Sequence, residues 1–221
     1  MNRVFIGYDP RQPLAYNVLQ HSIVRHAKEP VAITPLLLKQ LPTKRRGLTE
    51  FTYSRYLVPW LCGYEGRAIF MDSDIVVRAD IGELFAQANG ASIQVQQQQQ
   101  KFEWASVMLF NCPECRILTP EFVSDPKNKL FDLAWADKVG LLQPEWNHCV
   151  GYAEPKESKL YHYTQGVPCW YETQGLAEDH FWDEEREEMC KTVGWKELMG
   201  TSVHAVPTLQ RLIDRLKPSP H

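Results

Sequence analysis

Apolar and polar positions along the chain follow two periods. Val4-Phe5-Ile6-Gly7-Tyr8-Asp9 is a short apolar run ending at an acid, which reads as a first strand entering a tight turn. Asp9-Pro10 fits a helix entry, with the acid as cap and proline in the first turn. Leu14, Val18, Leu19, Ile23 and Val24 recur at helical spacing and predict a helix over about 13–27. Pro30 to Leu36 reads as a second strand, and such a β-α-β opening begins a parallel, helix-covered sheet. Further on, 51–60 predicts a helix ended by Pro59, and Ala68–Met71 and Ile75–Val77 predict buried strands. Residues 79–85 form a turn and short helix, 106–110 another buried strand, 120–126 a connector and 130–139 a helix. Residues 142–148 look like irregular ligand-facing backbone, Leu160 to Tyr163 a strand and 178–188 a solvated acidic helix. Leu209, Leu212, Ile213 and Leu216 keep helical spacing, so 201–221 is expected to be a helical tail packed on a single domain of residues 1–200.

The pattern breaks most sharply at Met71-Asp72-Ser73-Asp74-Ile75, where two carboxylates one residue apart interrupt a buried apolar stretch. Acids in that position are costly to bury unless something positive meets them. Side chains alternate in extended backbone, so Asp72 and Asp74 can face one way with Ser73 opposite. That arrangement suits a hard divalent cation held through oxygen, although Asp-Ser-Asp also fits an ordinary polar turn. Position favours the cation, because open α/β sheets bind ligands where their strands end.

Composition narrows the partners. The 221 residues are 44% hydrophobic and 23% charged, as in globular proteins, and the net charge of −3 gives no reason to expect nucleic acid. No apolar stretch approaches the roughly 20 residues of a membrane span and no signal peptide opens the chain, so a cytoplasmic setting is expected. The Gly-x-Gly-x-x-Gly fingerprint is missing after the first strand, which leaves a dinucleotide site unsupported. Cys112-Pro113-Glu114-Cys115 has the spacing of half a zinc site, but no second pair completes it, and free thiols are expected. Lys44-Arg45-Arg46 reads as a solvated loop, and the Gln96 to Gln100 run as a polar strand or loop without a function of its own.

Two other residues extend the candidate chemistry. Arg55 sits among aromatics and is either a surface side chain lying over apolar groups or a fork reaching phosphate or the acid pair. His162, in Leu160-Tyr161-His162-Tyr163 before a Gly166-Val167-Pro168 turn and Trp170, is either a packed core imidazole or a nitrogen ligand beside the carboxylates.

Taken in order, these stretches resemble the retaining glycosyltransferases of family 8. The resemblance spans most of 3–170 and rests on Val4 to Asp9, Tyr53-Ser54-Arg55, Asp72-Ser73-Asp74, Ser106 to Asn111, Trp146-Asn147, and His162 with Gly166, Pro168 and Trp170. It implies an α/β GT-A (Rossmann-like) fold with a mixed, mostly parallel sheet flanked by helices. It also implies Mn²⁺ or Mg²⁺ on Asp72, Asp74 and His162, a nucleotide sugar such as a UDP-hexose as donor, and a saccharide or glycan acceptor. Gly7, Tyr8 and Asp9 would line the nucleotide pocket with Tyr8 near the base, and Ser73, Gly166 and Trp170 would complete the donor site. Arg55 would hold the donor or the acids, while Asn111, Asp132, Trp146 and Asn147 would lie near the sugar and acceptor, with Asp132 and Asn147 in catalytic roles. Two departures stand out. Trp104-Ala105-Ser106 replaces the family's Asn-Ala/Ser-Gly, and no lysine occurs between Gly166 and Trp170, which leaves the diphosphate to the metal, Arg55 or Arg11. The rival readings are a sugar nucleotidyltransferase and a catalytically silent nucleotide- or glycan-binding module on the same scaffold.

Overall fold

The computed structural model describes residues 1–98, 101–193 and, beyond these, 198, 210, 213, 214 and 216. They fall into two compact units, Met1–Arg186 and Glu187–His221. In the second unit, positions 210, 213, 214 and 216 are helical; the rest of the tail expected over 201–221, Leu209 and Leu212 included, lies outside the described residues, as do Gln99 and Gln100.

The first unit opens as its periodicity requires. Strand β1 (Asn2–Gly7) pairs in parallel with β2 (Val31–Leu36), and helix α1 (Pro13–His26) joins them. Val18, Leu19 and Ile23 are buried as the spacing demands, whereas Leu14 and Val24 are exposed. Asp9 is not the cap of α1. Its carboxylate accepts the Arg11 amide and guanidinium within a turn closed by Gln12 N–H to Asp9 C=O, and the helix starts one residue later with Pro13 in its first turn.

A six-stranded sheet runs β2-β1-β3-β6-β5-β7, with β3 at Arg67–Met71, β5 at Ile93–Val95, β6 at Val107–Asn111 and β7 at Val139–Leu141. Only β6 runs against the others, pairing Met71 with Val107 at one end and Arg67 with Asn111 at the other. This is a mixed, mostly parallel α/β sheet. Ile6 lies opposite Met71, so Gly7–Asp9 and Asp72–Asp74 leave the sheet at the same edge. A smaller sheet follows, in which β4 (Ile75–Val77) pairs with β9 (Leu160–His162) and β9 with β8 (His148–Cys149).

Several local expectations give way to tertiary context. The stretch 51–60 is a tight turn over Ser54–Leu57 followed by α2 (Val58–Leu61), and Pro59 stands in the first turn of α2 rather than ending it. A proline is tolerated there because first-turn amides have no intrahelical acceptor. The short helix expected within 79–85 is α3 (Ile81–Phe85), and the expected connector at 120–126 contains α4 (Pro120–Ser124), capped by Thr119 Oγ1 accepting the Phe122 amide. No helix fills 130–139: a turn at Leu130–Asp132 stops where Leu133 adopts φ 55°, and Val139 begins β7. Arg45 of the basic loop is not free in solvent, because Nη1 donates to the carbonyls of Val123, Asp125 and Asn128. The acidic helix, α5 (Asp179–Cys190), is not wholly solvated either; Trp182 and Glu185 are buried, and Glu185 meets His21 and Arg25 of α1. The six cysteines are free thiols, with Cys115 Sγ donating to the Ser92 carbonyl.

Gly7 ends β1 for a packing reason. A Cβ there would fall 2.3 Å from Cγ of the Phe51 ring. Gly7→Ala is therefore expected to cost about 1–3 kcal/mol, as overpacking does, read as a lower thermal midpoint.

Candidate active site

The acids come from the link between β3 and β4 and the imidazole from the end of β9, and the two sheets bring them together. β3 delivers Asp72, whose amide extends the β3–β6 ladder by donating to the Ser106 carbonyl at 2.9 Å. The chain then crosses to β4, and the pairing of Ile75 with His162 sets the histidine beside the residue after Ser73. Tyr163 N–H donates to the Asp74 carbonyl at 2.8 Å and fixes that junction. His162 Nε2 lies 3.3 Å from Asp74 Oδ1, and one ligating atom from each of Asp72, Asp74 and His162 falls within 4.8 Å of the others.

Arg55 is buried, not a surface side chain. Nη2 stands 3.0 Å from Asp72 Oδ1, Nη1 donates to the Ala105 carbonyl at 2.6 Å, and the guanidinium lies 4.9 Å from the centre of the Phe70 ring. Burial raises the Asp72 carboxyl to about 7 against the pull of Arg55, and Asp74 adds to the rise. Burial disfavours the charged form of His162, but the Asp74 carboxylate outweighs it and holds the imidazole pKa well above its ordinary 6.5. The Oδ1 atoms of both aspartates are buried and receive no well-directed hydrogen bond among the described residues. Each has a charged neighbour all the same, Arg55 Nη2 at 3.0 Å from Asp72 Oδ1 and His162 Nε2 at 3.3 Å from Asp74 Oδ1, and two carboxylates beside one imidazole nitrogen form a donor set that a divalent cation fits.

Above this set opens a cleft of about 410 Å³. Asp9, Arg11, Phe51, Ser73 and Asp74 line one part of it, and Thr164, Gln165, Gly166 and Trp170 another. Gly166 has φ +112°, and a Cβ there would meet Thr173 Cγ2 at 2.9 Å, so the turn after β9 needs glycine. Asp9 is held by Arg11, whose hydrogen bond keeps the carboxyl below the usual range, although burial opposes it.

Other expected residues stand elsewhere. Asn111 is at the far end of β6 opposite Arg67, the other end of the ladder from Met71, and not at the cleft. The family resemblance implies a place near the sugar, but the antiparallel direction of β6 carries Asn111 to the opposite end of the sheet. Trp146 is fully buried in a core with Ile6, Leu142 and Leu160 and forms no wall. Asn147 is also buried, its Nδ2 donating to the Glu103 carbonyl and Ser106 Oγ, so it braces the site from behind. Asp132 lies on the surface in the Leu130–Asp132 turn, and Tyr8 packs edge-on against Tyr16. Sequence reading passed over Glu103 and Cys149, both buried beside His162 Nδ1, at 3.5 Å from Glu103 Oε2 and 3.9 Å from Cys149 Sγ. An acid just ahead of the uncharged run from Trp104 to Phe110 was the signal available for Glu103.

This architecture is that of the GT-A glycosyltransferase fold. GlyE of Streptococcus pneumoniae TIGR4 is similar at a TM-score of 0.64 with 14% identity, covering 96% of this chain and 64% of that one. The bifunctional WbbM matches at 0.61 with 16% identity over 90% of this chain, which spans about half (51%) of its length. LgtC, a galactosyltransferase solved with donor and acceptor sugar analogues, matches at 0.59 with 10% identity, covering 88% of this chain and 99% of that one. No family model matches the sequence. Protein CDI of Arabidopsis thaliana is 32% identical over 232 residues, 86% of this chain and 87% of the relative, and the chain belongs to the family of that protein.

Proposed function

We propose that the chain is a metal-dependent glycosyltransferase of the family 8 type, moving a hexose from a nucleotide sugar, a UDP-sugar by preference, to a saccharide or glycan acceptor with retention of configuration. The observation that carries this reading is the convergence of Asp72, Asp74 and His162 beneath a cleft where β1 and β3 end. The GT-A similarity supports it independently. The whole apparatus lies within Met1–Arg186. Free thiols, buried at Cys62, Cys112, Cys115 and Cys149 and exposed at Cys190, fit a reducing compartment, which supports a cytoplasmic setting.

Glycosyl transfer separates charge: the C1–O bond breaks toward an oxocarbenium-like sugar and the nucleoside diphosphate gains negative charge. Asp72, Asp74 and His162 would hold a divalent cation (Mn²⁺ or Mg²⁺), which when bound would supply Lewis-acid charge to this leaving group. The protein's own residues do the rest. Arg55 keeps Asp72 in place from behind, and is spent on that contact rather than on the donor. Among the described residues that line the cleft the cation is Arg11, which is paired with Asp9 but, unlike the buried Arg55, 68% exposed, so it takes the diphosphate role a lysine between Gly166 and Trp170 would fill. Phe51 and Trp170 exclude water and align the donor. Among the described residues lining the cleft, the carboxylates are Asp9, engaged by Arg11, and Asp74, in the metal set. That favours same-face attack in which the departing phosphate oxygen takes the acceptor's proton.

The test is a UDP-release screen across nucleotide sugars with Mn²⁺, with and without simple saccharides. Metal-dependent release stimulated by a saccharide is the expected result; metal-dependent UDP binding with no release from any donor overturns the transferase reading. Trp170 is half exposed, so Trp170→Ala is expected to weaken donor binding by about 1 kcal/mol or more, the worth of one aromatic contact, with an unchanged thermal midpoint. Titration calorimetry with the donor measures it.

A further inference from the structure

We propose that Glu103 is a positioning residue for the metal site, accepting the Nδ1–H of His162 so that Nε2 is presented to Asp72 and Asp74; the inference rests on the metal-site reading above. The imidazole has two occupied sides. Nε2 lies 3.3 Å from Asp74 Oδ1, while Nδ1 lies 3.5 Å from Glu103 Oε2. Imidazoles that bind a metal through one nitrogen commonly give the other N–H to a carboxylate, which fixes tautomer and ring orientation. Nδ1 also has Cys149 Sγ as a hydrogen-bond partner at 3.9 Å, but a thiol sulfur is a weak acceptor, and the carboxylate at ion-pair distance has the stronger attraction for Nδ1–H.

The turn that carries Glu103 ties the site together. Its Ala105 carbonyl accepts Arg55 Nη1 at 2.6 Å, and its Ser106 carbonyl accepts the Asp72 amide at 2.9 Å. Asn147 Nδ2 donates to the Glu103 carbonyl at 3.2 Å and to Ser106 Oγ at 2.9 Å. One short segment thus sets Arg55, Asp72 and His162 relative to each other. Stability alone is a poor reason for Glu103 to be there, since a buried ion pair often contributes less than apolar residues of the same volume.

A competing arrangement shares the histidine: Glu103, Cys149 and His162 also offer ligating atoms within 4.8 Å of one another. Of the residues in the two sets, Asp74 lines the cleft, and Asp72, His162, Glu103 and Cys149 lie behind its surface. A cation beneath a diphosphate therefore belongs on the Asp72–Asp74 side, and Glu103 on the supporting side.

Calorimetric titration of the full chain with Mn²⁺, paired with ¹⁵N spectra of the His162 ring, tests this. Glu103→Ala should weaken Mn²⁺ binding about 10- to 100-fold, the usual effect of losing such a support, and erase the slowly exchanging Nδ1–H signal. Glu103→Gln, whose amide oxygen still accepts that N–H, should keep the signal and lose less affinity, and it carries the test if the alanine variant does not fold. Unchanged affinity in Glu103→Ala, with normal binding in the wild type, overturns this inference alone. A wild type that binds no Mn²⁺ overturns the metal reading and this inference with it. If Glu103→Gln and Cys149→Ala both abolish binding while Asp74→Asn leaves it intact, Glu103 is itself a ligand and the assignment is wrong.

Discussion

Asp74→Asn is expected to abolish measurable Mn²⁺ binding and to lower UDP release about a thousandfold, with the thermal midpoint little changed. The magnitude follows from the several kcal/mol that a Lewis-acid cation contributes to the transition state, at about 1.4 kcal/mol per factor of ten. Asp74 is the better probe of the pair. Its side chain is 25% exposed, and its close ionic partner, His162, can shed its proton when the carboxylate is neutralised, so no buried charge is stranded. Asp72, by contrast, is the anionic partner of the buried Arg55. Removing it strands a buried guanidinium, a loss of about 3–5 kcal/mol that would confound stability with catalysis. Calorimetric Mn²⁺ titration, a UDP-release assay and a melting curve on the same preparation separate the effects. Wild-type turnover in Asp74→Asn would remove this residue from the mechanism.

Trp146→Ala is expected to destabilise the protein by about 3–5 kcal/mol, the range for deleting a large buried aromatic. For a unit of this size that is a fall in the melting midpoint on the order of 10 °C. Trp146 has no exposed surface, and Lys159 Nζ lies 5.8 Å from its ring centre. Trp146→Phe, which fills most of the volume, should recover most of the stability and leave donor affinity as it was. The contrast with Trp170→Ala is the informative part, since the two tryptophans exchange roles: one change lowers the melting midpoint, the other only donor binding. A Trp146→Ala protein that melts normally but binds donor weakly would place the ring at the donor after all.

Local physics is legible along a chain, and the strands and helices that depend on it were readable. The β1–α1–β2 opening follows from apolar periods of two and 3.6, and the acid pair closing β3 follows from the cost of burying two carboxylates without a counter-charge. The proposal that Asp72, Asp74 and His162 share a cation also began there, because carboxylates and imidazole are the donors a divalent ion takes. Pairing between distant segments was not legible. The distance between His162 and Asp74 is set by the register of β9 on β4, some 85 positions apart in the chain. Strand direction reversed the place of Asn111, since antiparallel pairing carries the end of β6 away from the cleft. Trp146 and Trp170 have the same side chain, and only the surrounding packing makes one core and the other wall. Glu103 was unreadable for the same reason: what a buried carboxylate does depends on which cation the fold sets against it, and that choice is made by contacts rather than by neighbours in sequence.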